Sequence, residues 1–440
     1  MNKIVDGINI HDLIGIGIGP FNLGLAALIK GKTKINSVFF EQKQEFQWHE
    51  GMLIEGSTLQ VPFLADLVSM IDPTSPYSFL NYLNEQKRLY NFYFLEKFHI
   101  PRREYNKYCQ WASGKLDNCR FGTKVEKVAK VLLNGQSVFK VIVKNLNSNT
   151  TEIYHAKHIV IGIGSQPFVP EEFSELLGTK VFHSSNFLKN KEIFNRAKAV
   201  TVVGSGQSAA EVFYELLKEQ ENTPYRLNWY TRSKGFFPME YSKLGLEYFS
   251  PDYIEYFYNL PQSKKDKILP KQGLLYKGIS FDTIAEIYDL LYEKSIDKKI
   301  DNVHLQPLVE VKQIIKCSDE DEYEIKCFQW EEGKIFTDKS EVIVLATGYK
   351  QSTYSFLSPI EDLINYDEQN RFKINRDYSI QLNNKDENKI FVQNGELHTH
   401  GIGAPDLGLG AYRNAVIINT LLNKIIYPVG EKNIFQSFTQ

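Results

Sequence analysis

Two glycine-rich turns, almost two hundred residues apart, constrain this chain more than any other feature. The first follows the apolar run Leu13-Ile14-Gly15-Ile16 and reads Gly17-Ile18-Gly19-Pro20-Phe21-Asn22. The second follows Val200-Thr201-Val202-Val203 and reads Gly204-Ser205-Gly206-Gln207-Ser208-Ala209. Each turn leads into a helical pattern. In a strand–turn–helix unit the glycines let backbone approach a pyrophosphate, and the helix N-terminus faces its charge. One GxGxxG-like turn is weak evidence. Two in this setting predict one chain that holds two dinucleotides and passes electrons between them.

The order of elements repeats around these turns. After the first come a helix bearing Leu23, Ala26, Ala27 and Leu28, a strand over 37–40, and aromatic helical patterns over 79–83 and 105–111. A β-rich stretch over 131–143 turns at Asn134-Gly135, a hairpin signal, and ends in the apolar strand 158–164. After the second turn come a helix over 209–217, a strand over 227–230, a long aromatic and helical segment over 236–292, a meander over 309–336 and an apolar strand over 342–348. The doubling suits an α/β protein of two or three domains, at roughly 150 residues each.

The two halves differ where their nucleotides should differ. The strand after the first turn ends at Glu41, 24 positions beyond Gly17, near the spacing at which a carboxylate accepts ribose hydroxyls. The corresponding strand in the second half ends without an acid and leads to Arg232, 28 positions beyond Gly204. A cation there suits the 2′-phosphate of NADPH, which an acid would repel.

Composition narrows the partners. A net charge of −2 gives no overall attraction for nucleic acid or anionic lipid. The run 13–29 is broken by glycines, a proline and an asparagine, so no membrane span is expected. No His/Cys cluster has metal-ligand spacing, and Cys109, Cys119, Cys317 and Cys327 form no CxxC. With no secretion signal at the N-terminus, a cytoplasmic protein with reduced thiols is expected.

Six segments together carry a resemblance: 17–28 (GIGPFNLGLAAL), 46–52 (FQWHEGM), 72–83 (DPTSPYSFLNYL), 204–211 (GSGQSAAE), 346–349 (ATGY) and 398–402 (HTHGI). The chain resembles the flavin-dependent amine N-hydroxylases of siderophore biosynthesis, which include the lysine and ornithine N-monooxygenases, and the similarity runs from about residue 13 to 419. The resemblance implies that NADPH reduces bound FAD, that reduced flavin and O2 form a C4a-hydroperoxide, and that a neutral primary amine attacks its distal oxygen. It places Gly17, Gly19, Pro20, Asn22, Glu41, Trp48, His49, Gln60, Thr347, Gly348, Leu407 and Gly408 along FAD, with Gln60 near the flavin's reactive edge as the catalytic candidate. It places Gly204, Gly206, Gln207, Ser208 and Arg232 along NADPH. His398 and His400 are expected to be hydrogen-bonded core residues rather than proton carriers.

By the same resemblance, the expected division is an FAD domain over 1–167 and 340–440, an NADPH domain over 168–235 and 293–339, and a small helical substrate region over 236–292. Both nucleotide domains should be Rossmann-like with β-meander inserts. A homo-oligomer, tetrameric as family members often are, is implied too.

The substrate-side candidates are Ala65, Leu246 and Lys277. The lysine and ornithine enzymes place a lysine where Ala65 stands, and it pairs with the substrate's α-carboxylate. A methyl group cannot do so, and an unpaired buried carboxylate is costly. Ornithine enzymes carry an asparagine where Leu246 precedes Glu247-Tyr248-Phe249. Both changes point to a primary amine without an α-carboxylate: putrescine or cadaverine first, histamine close behind. The wording of 59–68 (LQVPFLADLV) is nearer the diamine hydroxylases. The alternatives are a lysine or ornithine side-chain monooxygenase and a non-catalytic flavin-binding interaction protein. A disulfide reductase would need a redox cysteine pair, which Cys109 and Cys119 do not supply, and a Baeyer–Villiger or sulfur-oxidising enzyme would need an FxGxxxHxxxW-type segment of which only fragments surround Phe182-His183-Ser184.

Overall fold

The computed structural model describes residues 3–5, 8–297, 299–318, 321–383, 387–430 and 432–440. The strand Ile8–Ile16 runs parallel to Ser37–Phe40 on one side and to Thr151–Ile161 on the other. Cys119–Arg120 and Ile390–Val392 extend this parallel layer at its two sides. The first half of Thr151–Ile161 also pairs antiparallel with Gln136–Asn145, which pairs with Thr123–Leu133. One long strand therefore serves both the nucleotide layer and the meander. The meander turns at Asn134 and Gly135, with φ of 48° and 78°, the positive pair that a two-residue type I′ hairpin requires.

The helix Pro20–Lys32 is buried over most of its length, and the C-terminal helix Gly410–Leu422 packs along it. Leu23, Leu25, Ala26, Ala27, Leu28 and Ile29 are all in the core. Each large aliphatic side chain buried this way contributes about 1.5–3 kcal/mol.

The second nucleotide layer is wholly parallel, ordered Val303–Gln306, Arg226–Tyr230, Ala199–Val203, Val342–Leu345, Val181–His183. Its meander is Val309–Lys316, Tyr323–Gln329 and Lys334–Ser340. Two elements lie across expected borders. Val342–Leu345 pairs with Val200 to Val203 inside this layer, so the chain does not return to the first domain at 340. It returns through the antiparallel ribbon of Ser165–Pro167 with Tyr349–Gln351. Likewise, a border at 292 cuts the helix Phe281–Asp297, whose Ile284, Ile287, Leu290 and Leu291 pack into the second core. The small helical region therefore ends near 280. It holds the helices Lys243–Leu246, Pro251–Asn259, Gln262–Ile268 and Gly273–Tyr276, with Tyr253 and Phe257 packed on Ile402.

Candidate active site

The two turns are built alike, atom for atom. The Gly17 N–H donates to the Phe40 carbonyl at 2.8 Å, and the Gly204 N–H donates to the Tyr230 carbonyl at 2.9 Å. Gly17 has φ of +83° and Gly204 +142°, and a Cβ would lie 2.7 Å from the Gly162 oxygen or 2.2 Å from the Ala346 oxygen. A side chain at either position would push the closing strand away from the turn. Gly19 and Gly206 then stand at the N-caps of Pro20–Lys32 and Gln207–Glu219 with no side-chain cap, so these helix ends keep amides for an anion.

At the first turn the third glycine is replaced by Asn22, which is fully buried. Its amide donates to the carbonyls of Ile16 (3.2 Å) and Gly17 (2.8 Å), and its oxygen accepts from Gln393 at 2.7 Å. Glu41 reaches the mouth of the turn and accepts the Ile18 N–H at 2.9 Å and the Lys43 N–H at 3.0 Å. The buried Oε1 atoms of Gln60 and Gln393 have no partner, and orphaned buried acceptors need donors. The uncapped helix end, the carboxylate at the turn and these acceptors fit a flavin dinucleotide with its pyrophosphate, ribose and ring or ribityl donors.

At the second turn, Ser205 and Ser233 hydroxyls meet at 2.8 Å, drawing the 231–234 loop against the glycines. Arg232 is exposed there and has no ion-pair partner among the described residues, which leaves its guanidinium for a phosphate. Gln207 faces inward: its amide donates to Glu211 and Thr283, and its oxygen accepts the Ser280 N–H. It fastens the 280–283 corner to the turn. The Lys277 carbonyl lies 3.7 Å from where a Gly206 Cβ would be. Lys277, expected on the substrate side, has this carbonyl beside the second turn and its ammonium over the Tyr276 ring.

Between the turns, Asp66 organises the 59–68 loop. It is buried and accepts from the amides of Val68, Ser69 and Phe79 and from the Ser69 hydroxyl. Burial pushes its pKa up against these donors. Held this way, the loop presents Gln60 and Ala65. Tyr241 donates its hydroxyl to the Gln60 carbonyl, which brings the helical region onto the loop. Ala65 is buried, and its Cβ lies 3.7 Å from where a Gly408 Cβ would be, a point 2.9 Å from Asp406 Oδ1. Burial pushes Asp406 up to about 6, against the Gly408 and Leu409 amides and the charge of Arg413. Asp406 has no ion-pair partner among the described residues, because Arg413 is engaged with Glu396 and the Gly403 and Ala404 carbonyls. Asp406 also lies near enough to Tyr241 to raise its hydroxyl, after burial, to about 12.

Sequence reasoning missed Asp406 and Tyr241. The signal for Asp406 was one residue away: it is the lone charge in the apolar, glycine-rich run 401–410. Leu246 is not gathered into this cluster. It is 40% exposed at the end of Lys243–Leu246, where the C-terminal tail binds its neighbour Glu247 through the Phe435 and Gln436 amides.

Trp48, His49, Thr347 and Gly348 line the seam between the domains. Trp48 donates its N–H to Asn106 and packs edge-on against Tyr105. His49 has φ of 51° and meets Tyr349 edge-on at 5.8 Å. His49 is solvent-exposed, and the protein around it, with the charges of Arg102 and Lys43, lowers its pKa. Thr347 donates to the Phe168 carbonyl, and the Gly348 carbonyl meets His183 Nε2 at 2.9 Å. These contacts close the chain crossing. His398 bonds the Phe372 carbonyl and His400 stacks on Tyr378, both as core residues.

Comparison with known proteins follows this geometry. The family model of L-lysine 6-monooxygenase/L-ornithine 5-monooxygenase matches residues 9–351. A putrescine N-hydroxylase of Shewanella oneidensis is 42% identical over 429 residues, 98% of this chain and 84% of that protein. The FAD-bound cadaverine monooxygenase of the desferrioxamine pathway of Erwinia amylovora superposes with a TM-score of 0.93 at 42% identity, over 98% of this chain and 99% of that one. An ornithine N-hydroxylase of Kutzneria sp. 744, with reduced FAD, NADP+ and L-ornithine, gives a TM-score of 0.86 at 26% identity over 94% and 99%.

Proposed function

The chain belongs to the L-lysine 6-monooxygenase/L-ornithine 5-monooxygenase family, and on that premise we propose that it N-hydroxylates a primary diamine, putrescine or cadaverine, ahead of histamine. It is an FAD- and NADPH-dependent N-monooxygenase. Its hydroxylamine product feeds a siderophore pathway, as desferrioxamine assembly is for the Erwinia amylovora enzyme. NADPH dependence and four free cysteines suit a cytoplasmic setting, and assembly with further copies of the chain is part of the same reading. Among the described residues no helix is long and apolar enough to cross a membrane.

The observation that carries the substrate class is the charge at the Gly408 corner. The amino-acid hydroxylases need a cation for an α-carboxylate; here Ala65 offers none, and Asp406 offers a half-buried carboxylate with no ion-pair partner among the described residues. A half-buried carboxylate met only by backbone amides is further stabilised by a cation. One ammonium of a diamine supplies that cation, while the other amine, deprotonated, has the lone pair that attacks oxygen. Bound FAD, reduced by NADPH, supplies the activated oxygen. The chain's own residues hold the cofactors, keep water from the reacting amine, and set its reach with Asp406 as the anchor and Gln60 beside the flavin's reactive edge.

The test is product formation by the FAD-loaded enzyme with NADPH and O2. Putrescine or cadaverine should give hydroxylamine in amounts that follow NADPH oxidation. NADPH oxidation without hydroxylamine from any diamine would reject the proposal.

A further inference from the structure

Glu211 closes the GSGQSAAE motif, yet nothing in the chemistry above uses it. It lies on Gln207–Glu219, the helix whose N-terminus faces the second nucleotide. Its partner comes from the other domain. Arg102, the first residue of the helix Arg102–Gly114, donates Nη2 to Glu211 Oε1 at 2.7 Å and Nη1 to Oε2 at 2.9 Å. Nη1 also donates to the Met52 carbonyl at 2.9 Å, and Gln207 donates to Glu211 Oε1 at 3.0 Å. The arginine and glutamate side chains are only 10% and 6% exposed. A bidentate fork fixes angle as well as distance.

A buried ion pair gains little over apolar packing in stability; its best-attested use is to specify one arrangement. Here the arrangement needs specifying. The domains are joined by the ribbon of Ser165–Pro167 and Tyr349–Gln351, which leaves their angle to the seam. The fork sits in that seam, where Met52 and Ile54 of the first domain enter the second core.

We infer that the Arg102–Glu211 fork is a positioning device that sets the NADPH helix against the FAD domain for hydride transfer. In that step one proton and two electrons leave the nicotinamide as hydride, NADPH becomes NADP+, and FAD is reduced to FADH−. The inference rests on the proposed cofactor use. Arg102 and Glu211 act through the angle between domains and hold no reacting atom.

The test uses full-length, FAD-loaded protein carrying Glu211→Gln, which keeps the shape and removes the charge. Flavin reduction by NADPH is followed anaerobically and should slow at least ~10-fold, the scale of losing about 1.4 kcal/mol of alignment. Reduction by dithionite, which needs no nicotinamide site, should stay at the wild-type rate. Hydrogen exchange of the cofactor-free protein should rise in the 165–167 and 349–351 ribbon and in 46–58, with the strand Ala199–Val203 still protected. Should Glu211→Gln not fold, Arg102→Lys, which keeps charge but loses the fork, is read by the same three measures. NADPH reduction at the wild-type rate in a folded variant would overturn the inference, as would equal slowing with both reductants or lost protection in Ala199–Val203. Failure of the wild-type protein to be reduced by NADPH would instead reject the proposed function.

Discussion

Asp406 and Ala65 both border Gly408, the carboxylate oxygen 2.9 Å and the methyl carbon 3.7 Å from the position a Cβ on that glycine would take. On the proposed reading, a half-buried carboxylate here with no cation at Ala65 suits a substrate ammonium and disfavours a substrate carboxylate.

Asp406→Asn should raise KM for the diamine ~10–100-fold with a smaller fall in kcat, because a charge-assisted contact of about 1.5–3 kcal/mol is lost. Steady-state kinetics of hydroxylamine formation measures it. An unchanged KM would move the substrate ammonium elsewhere.

The pH dependence has a definite sign. Asp406 is raised to about 6 from an ordinary value of 3.8, so the folded protein keeps this proton in a window where the unfolded chain has lost it. Its ionisation therefore costs stability as pH rises from about 4 to about 6, and a bound ammonium relieves that cost. Diamine KM should rise as pH falls below about 6, and Asp406→Asn should abolish that limb while raising the melting temperature of the cofactor-free protein at pH 8. Persistence of the limb in the variant would assign it to another group.

Ala65→Lys would set an ammonium beside Asp406 in place of the substrate's. The putrescine kcat/KM should fall ~10–100-fold with FAD content unchanged. Full retention of putrescine turnover would show that the two residues do not share a site.

The architecture was largely legible because its signals are local. Strand–turn–helix units, the Asn134-Gly135 hairpin and the apolar closing strands are short patterns with one physical meaning. The borders at 340 and 292 were not, since only pairing shows that Val342–Leu345 joins the second layer and only packing shows that Phe281–Asp297 covers it. The geometry of the two turns was legible, because the glycine spacing sets it locally. Tyr241 with Gln60 and Arg102 with Glu211 meet, and Asp406 and Ala65 both come to Gly408, across long stretches of sequence, and nothing local records such encounters. Lys277, expected on the substrate side, has its carbonyl 3.7 Å from where a Gly206 Cβ would be.

Arg232→Ala should raise KM for NADPH about 10-fold or more, leave kcat little changed, and shrink the preference for NADPH over NADH. NADPH and NADH oxidation compared at saturating amine measures this. An unaltered preference would assign the 2′-phosphate to a different cation.

The central claim is tested most directly by matched substrates, since ornithine is putrescine with an α-carboxylate and lysine is cadaverine with one. Measured as hydroxylamine formed by the FAD-loaded enzyme, kcat/KM for the better diamine should exceed that for its amino acid at least ~100-fold, about 2.7 kcal/mol of discrimination against a carboxylate brought to Asp406 with no cation to meet it. Equal or greater efficiency with ornithine or lysine would contradict the account.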